Sequence, residues 1–211
     1  MAQLFKNKYR VSSARLEGWD YRRNAMYFVT ICTKERRHYF GEITDEKMML
    51  TDTGKLCRDY LYRIPEFSPF VVIDEAIVMP NHLHAIIVID NSVVETFEKT
   101  SRTTETINTE TFPTETINTE TFFQTSLQGE TSISPKSGSL STIIRSFKGA
   151  VKKDSKTFDP SFEWQTRFHD HIIRNENSYW NIKKYIQTNV ENWKEDRFFN
   201  PGTPHKIPPP A

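Results

Sequence analysis

The sequence predicts an α+β fold: a ferredoxin-like, RRM-like antiparallel sheet (βαββαβ) with helices on one face and an extra C-terminal helix. Apolar residues switch between a two-residue and a 3.6-residue period in the order strand, helix, strand, strand, helix, strand, helix. The two middle strands are separated only by Pro80-Asn81, a pair suited to a tight turn because proline presets φ and asparagine tolerates unusual dihedrals. The long polar stretch can be set aside without losing any of these elements.

Taken in order, MYFVTICT (Met26 to Thr33) is aromatic and β-branched, hence a strand. From Thr51 or Asp52 the positions Leu56, Cys57, Tyr60, Leu61 and Ile64 have helical spacing, with Asp52 as the expected cap and Pro65 just past the end. FVVIDEAIVM and HLHAIIVID then form an antiparallel hairpin. Ser139 is placed to cap a helix with Leu140, Ile143, Ile144, Phe147 and Val151 on one face and Arg145, Lys148 and Lys152 on another. A strand is expected near WQTRFHDHII. A last helix follows from about Ser178 to Trp193, with Tyr179, Ile182, Ile186, Val190 and Trp193 as its apolar stripe.

At 211 residues the chain suits one domain, expected over residues 1–197. Residues 104–112 read TETINTETF and the same nine letters return at 114–122, inside a Thr/Glu-rich stretch spanning 92–137. Two such units have too few apolar residues to stack as a solenoid, so the stretch is expected to be a low-complexity insert. Between Ser92 and Pro135 seven glutamates face one lysine and one arginine, a net of −5; a total of +1 therefore leaves +6 on the rest of the chain. That concealed basic excess favours a polyanionic partner. Residues 198–211 are expected to be a proline-rich tail. Cys32 and Cys57 are too few for a disulfide framework and read as buried thiols. The longest apolar run, Ala85 to Ile89, is far too short to span a membrane, so a cytoplasmic protein with no membrane partner is expected.

His82 and His84 lie one residue apart at the mouth of that run. Side chains alternate along a strand, so both point to one face and can converge on one cation, while Leu83, Ala85 and Ile87 pack against the helices. The histidines are then expected on the open face of the sheet. His169 and His171 in FHDHIIR have the same spacing, and the pattern alone does not separate the two pairs. Tyr185 and Asn189, four apart on the last helix, face a common neighbour from the edge of its stripe. They could be packing residues or the missing part of a site.

HLHAII after a hydrophobic strand, DYRRNAMYFVTICTKERRHYFGEI near the start and FHDHIIRNENSYWNIKKYIQTNVENW near the end together resemble the HUH-type single-tyrosine transposases, in their REP-associated branch. The resemblance runs from about Arg15 to Arg197 except for the insert. It implies that His82 and His84 are metal ligands, that Asn189 is the third, that the ion is Mg²⁺ or Mn²⁺, and that Tyr185 is the nucleophile. It matches His169 and His171 to no metal-binding position.

The implied reaction is cleavage and rejoining of single-stranded or hairpin DNA through a 5′-phosphotyrosine, whose retained bond energy allows resealing without ATP. Lys34, Arg36, Arg37, Arg145, Lys148, Lys152, Lys153, Arg167 and Arg174 are candidate phosphate contacts, and Tyr21 or Tyr39 candidate stacking platforms for bases. One tyrosine per chain makes two simultaneous transfers the work of two protomers, so a homodimer is expected. Three other readings stand beside this one: a domesticated DNA-binding or DNA-processing protein of repetitive palindromes without mobility, a phosphodiesterase that uses water and has no need of Tyr185, and a non-enzymatic nucleic-acid-binding module. The last lacks the RNP-like aromatic strand motif usual for this topology.

Overall fold

The computed structural model describes residues 16, 18–92, 138–199 and 201. Except at their margins, the expected insert (92–137) and tail (198–211) lie outside the described residues. Four strands form the main sheet: β1 (Ala25–Cys32), β4 (Val71–Met79), β5 (His82–Ile89) and β6 (His169–Ile173). Their order is β4-β5-β1-β6 and every neighbouring pair is antiparallel, the split βαβ arrangement read from the sequence. Pro80-Asn81 joins β4 to β5, with Met79 opposite His82.

A separate hairpin, β2 (Gly41–Thr44) and β3 (Lys47–Leu50), was not expected from the pattern. Its turn residues Asp45 and Glu46 both have positive φ, as two-residue hairpins require, but without the glycine that usually announces such a turn. Helix α1 (Asp52–Tyr62) is capped by Thr51, whose Oγ1 accepts from the Gly54 amide at 3.1 Å, and not by Asp52. A short helix α2 (Ile64–Phe67) takes Pro65 into its first turn, where a missing N–H costs nothing.

Helix α3 (Leu140–Ser155) buries the expected stripe of Leu140, Ile143, Ile144, Phe147 and Val151. With Cys57 and Leu61 of α1 it covers one face of the sheet, packing on Val29 and Ile31 of β1 and on Leu83, Ala85 and Ile87 of β5. Cys32 and Cys57 are free thiols and both are buried.

The other face is not open. Helix α4 (Glu176–Gln187) lies across it, with Tyr179 and Ile186 packed on Met26, Ile86 and Val88. Beyond α4, Trp193 and Phe198 pack on Cys32 and Met79. All eight residues of β5 are consequently buried, which explains why its sequence is a continuous apolar run and not an alternation. A bulge between Ile73 and Glu75 turns Asp74 toward α4, where its carboxylate accepts from the Tyr179 hydroxyl at 3.0 Å and from Lys183 at 3.3 Å. Apolar packing and this polar clamp together fix the helix.

Two expected boundaries shift. The sixth strand starts at His169, because Trp164 makes only an isolated bridge to Thr33 and Arg167 turns the chain at φ 69°. The last helix begins after an Asn175 cap and stops at Gln187, where the Thr188 hydroxyl donates to the Lys184 carbonyl at 3.0 Å and competes with helical bonding. Among the described residues no helix is long and apolar enough to cross a membrane.

Ile186 is 1% exposed at the centre of the α4 contact. Ile186→Ala should cost about 2–5 kcal/mol in urea unfolding, against less than about 0.5 kcal/mol for the exposed Asn181→Ala. Equal effects would show that α4 is not packed as described.

Candidate active site

The hairpin turn delivers His82 and His84 to the middle of the face beneath α4 and the segment that follows it. They are 0% and 1% exposed, the first covered by Phe198 and Trp193 at ring separations of 4.7 and 5.9 Å. The second stacks on Phe28 at 5.2 Å. Their Nε2 atoms are 3.0 Å apart.

The outer nitrogens are anchored. Asn81 donates its Nδ2 to the Phe198 carbonyl at 3.0 Å, so its Oδ1 must accept from Nδ1 of His82 at 2.8 Å. That assignment leaves Nε2 of His82 with its lone pair free. His84 Nδ1 lies 2.9 Å from the Thr30 hydroxyl, which can either donate or accept. Without a cation, His84 can donate from Nε2 to His82; with one, it can donate from Nδ1 to Thr30 and present a second lone pair. Thr30 serves both tautomers.

Burial, reinforced by Arg36 and Arg197, pushes His82 down to about 3. Burial and its neighbour likewise hold His84 well below the usual imidazole range. Both are neutral, as ligands must be. Tyr185 is 39% exposed; its hydroxyl lies 3.2 Å from His84 Nε2 and donates to Asp196 Oδ2 at 2.6 Å. Partial burial, and then this bond to Asp196, push the phenol up to about 12.

Asn189 also reaches the cluster, though from the turn after α4 and not from the helix. It is 1% exposed and donates Nδ2 to Asp196 Oδ2 at 3.0 Å, while its buried Oδ1 has no hydrogen-bond partner. An orphaned amide oxygen costs about 1–3 kcal/mol, which a bound cation would offset. The fit is good in a second respect. Nitrogens 3.0 Å apart match neighbouring positions about 2.1 Å from an octahedral ion. His82, His84 and Asp196 also present ligand atoms within 4.8 Å of one another.

Asp196 was missed by the sequence reading. In ENWKEDRFF nothing distinguishes it from Glu191 or Glu195, and its position depends on a helix end that periodicity did not locate.

No family model matches the chain. An uncharacterized protein of Haemophilus influenzae is 34% identical to it over 194 residues, covering 89% of this chain and 92% of that one. The chain belongs to that protein's family. Among solved structures, that of a REP-associated tyrosine transposase bound to a REP hairpin shares 18% identity, covering 88% of this chain and 74% of its own, at a TM-score of 0.49. A candidate transposase of Deinococcus radiodurans R1 shares 13%, covering 82% and 95%, at 0.39.

In this member of the family the expected DNA-contacting residues scatter. Arg36 is at the site, donating to the Arg197 carbonyl at 3.1 Å and lying 5.0 Å from the Phe198 ring centre; Arg197, not anticipated, stacks on the same ring at 4.5 Å. Lys34 pairs with Glu163, and Arg37 with Glu35 at 2.7 Å. Arg145, Lys148, Lys152 and Lys153 sit on α3, across the sheet from the histidines. Lys148 donates to the carbonyls of Gln165 and Arg167, and Lys152 to that of Phe162, so both staple α3 to its following segment. Tyr21 and Tyr39 are 9% and 2% exposed, too buried to stack on a base.

Arg167 and Arg174 are exposed at the two ends of β6. Register puts His169 opposite Thr30 and His171 opposite Phe28, hence on the same sheet face as His84, but on an exposed edge strand.

Two outcomes follow from this geometry. Thr30→Val should weaken Mn²⁺ binding, measured by calorimetry, by about 10-fold or more, as loss of an outer anchor does at other histidine sites; unchanged affinity would remove Thr30 from that role. Because the unfolded histidines titrate near 6.5 and His82 folds near 3, the unfolded chain binds more protons in that window. Stability should therefore fall as pH drops below 6.5, by about 1.4 kcal/mol per unit for each histidine. A urea midpoint constant between pH 7 and 5 would contradict neutral burial.

Proposed function

We propose that this chain is a transposase-type DNA endonuclease and strand transferase that cleaves and rejoins single-stranded, hairpin-bearing DNA through a 5′-phosphotyrosine on Tyr185. The observation carrying this reading is the placement of the Tyr185 hydroxyl, 3.2 Å from a neutral histidine nitrogen and beside the paired histidines and the orphaned amide oxygen of Asn189. A water-using phosphodiesterase would have no use for a phenol at that point. The resemblance of the His82-Leu83-His84, Tyr185 and Asn189 set to HUH transposases supports the same chemistry.

His82, His84 and Asn189 would hold Mg²⁺ or Mn²⁺, which supplies charge stabilisation at the phosphodiester and orients it. Asp196 is the less suitable third ligand, since its Oδ2 already accepts from both Tyr185 and Asn189. Tyr185 Oη attacks phosphorus, its bond to phosphorus forms, and the bond to the 3′ oxygen breaks. The released 3′-hydroxyl can later attack the phosphotyrosine and restore the strand. Arg36 and Arg197, both exposed beside Phe198, are the cations nearest the histidines for the incoming phosphates.

With α4 docked on the sheet of its own chain, one chain would suffice for a single cleavage, and a homodimer would serve two coordinated ones.

The test is a denaturing gel of protein incubated with labelled hairpin-bearing single-stranded DNA and Mg²⁺ or Mn²⁺. A covalent adduct should form, and Tyr185→Phe should abolish it while DNA binding persists. His82→Ala should slow adduct formation by about 100-fold or more, and His169→Ala far less. An adduct surviving in Tyr185→Phe would show that another residue is the nucleophile.

A further inference from the structure

We propose that Asp196 is the general base that removes the Tyr185 proton during strand cleavage and the general acid that returns it during rejoining. The inference rests on the strand-transfer reading above and adds a catalytic residue to it. The Tyr185 hydroxyl donates to Asp196 Oδ2 at 2.6 Å, which is within direct proton-transfer reach of the reacting oxygen.

The carboxylate is held from both sides. Oδ1 accepts the Phe198 amide at 2.6 Å, and Oδ2 accepts Nδ2 of Asn189 at 3.0 Å. These bonds orient it toward the phenol.

His84 is the rival acceptor, 3.2 Å from the same hydroxyl. Its Nε2 faces His82 Nε2 at 3.0 Å and is the atom that would hold the cation, whereas the Asp196 oxygen is the nearer acceptor at 2.6 Å.

The step balances. As the Oη–P bond forms, the phenolic proton moves to Asp196 Oδ2, the P–O3′ bond breaks, and the departing 3′ oxygen takes a proton from solvent water. The hydroxyl grows more acidic as its oxygen is drawn into the phosphoester, so transfer accompanies attack. On rejoining, the 3′-hydroxyl attacks and passes its proton to solvent water, the O3′–P bond forms as the Oη–P bond breaks, and Asp196 gives its proton to the leaving phenolate.

The experiment compares wild type, Asp196→Asn and Asp196→Ala in adduct formation on hairpin-bearing single-stranded DNA, with Mn²⁺ affinity measured on each by calorimetry. Asparagine keeps the shape but cannot take the proton, so the adduct rate should fall by about 100-fold or more. Mn²⁺ affinity should fall by no more than about 10-fold, the loss expected for the outer anchor of Asn189, and should not be abolished as it would be at a liganding position. Formate should accelerate the alanine variant by about 10-fold or more, and leave the asparagine variant unchanged. A lost Mn²⁺ affinity, or a full return of rate at raised Mn²⁺, would make Asp196 a ligand and overturn the proposal. So would a wild-type rate in Asp196→Asn, or no formate effect in an alanine variant that melts cooperatively and binds DNA. Absence of an adduct from the wild-type chain would instead overturn the strand-transfer reading itself, and the base with it.

Discussion

Burying two imidazoles side by side on a central strand is the constraint that organises this molecule. Each ring carries two nitrogens, and an unpaired polar atom away from water costs on the order of 1–3 kcal/mol. Every nitrogen of His82 and His84 is therefore engaged: the outer ones by Asn81 and Thr30, the inner ones by each other. The inner contact is the weak point of the arrangement. It uses one N–H for two rings in a place where two lone pairs could serve a cation.

Helix α4 closes the face that makes this burial possible, and it carries Tyr185 on its rim. Ile186 and Tyr179 supply the apolar contact, while Asp74 reaches up from the bulge to grip Tyr179 and Lys183. The helix must also end where it does. At 1.5 Å per residue a continuous helix would carry Asp196 about 16 Å along the axis from Tyr185. Stopping at Gln187 lets the chain fold back, so that Asp196 and Phe198 meet the same two histidines and Asn189 meets Asp196. Thr188 and Asn192 favour that stop, since their side chains donate to the Lys184 and Thr188 carbonyls in competition with helical N–H groups.

Much of this was legible from residue types. The β4-β5 hairpin followed from Pro80-Asn81 between two apolar runs, and the α3 stripe from its 3.6-residue period. The pairing of Tyr185 with Asn189 was found for a partly mistaken reason, because they meet around Asp196 and not as successive turns of one helix. The β2-β3 hairpin was missed because Asp45 and Glu46 take left-handed dihedrals without a glycine to signal them. Charge alone makes the basic residues candidate phosphate contacts, whereas α3 carries Arg145, Lys148 and Lys152 on the far side of the sheet from the histidines. A count of charges contains no information about which face bears them.

By itself the sequence determined the order of the elements, the inward set of each helix and strand, and the fact that His82 and His84 share a face, because periodicity is a local property of the chain. It could not decide between that pair and His169 with His171, whose spacing is identical. Sheet position sets the pairs apart: β5 lies between two strands and under α4, and β6 lies at an open edge. Burial removes water from the first pair, holds it neutral and makes its lone pairs available, while the second pair stays solvated. Asp196 likewise gained its place only from tertiary contacts, since a carboxylate eleven residues from the tyrosine becomes its hydrogen-bond partner only when the chain turns back on itself.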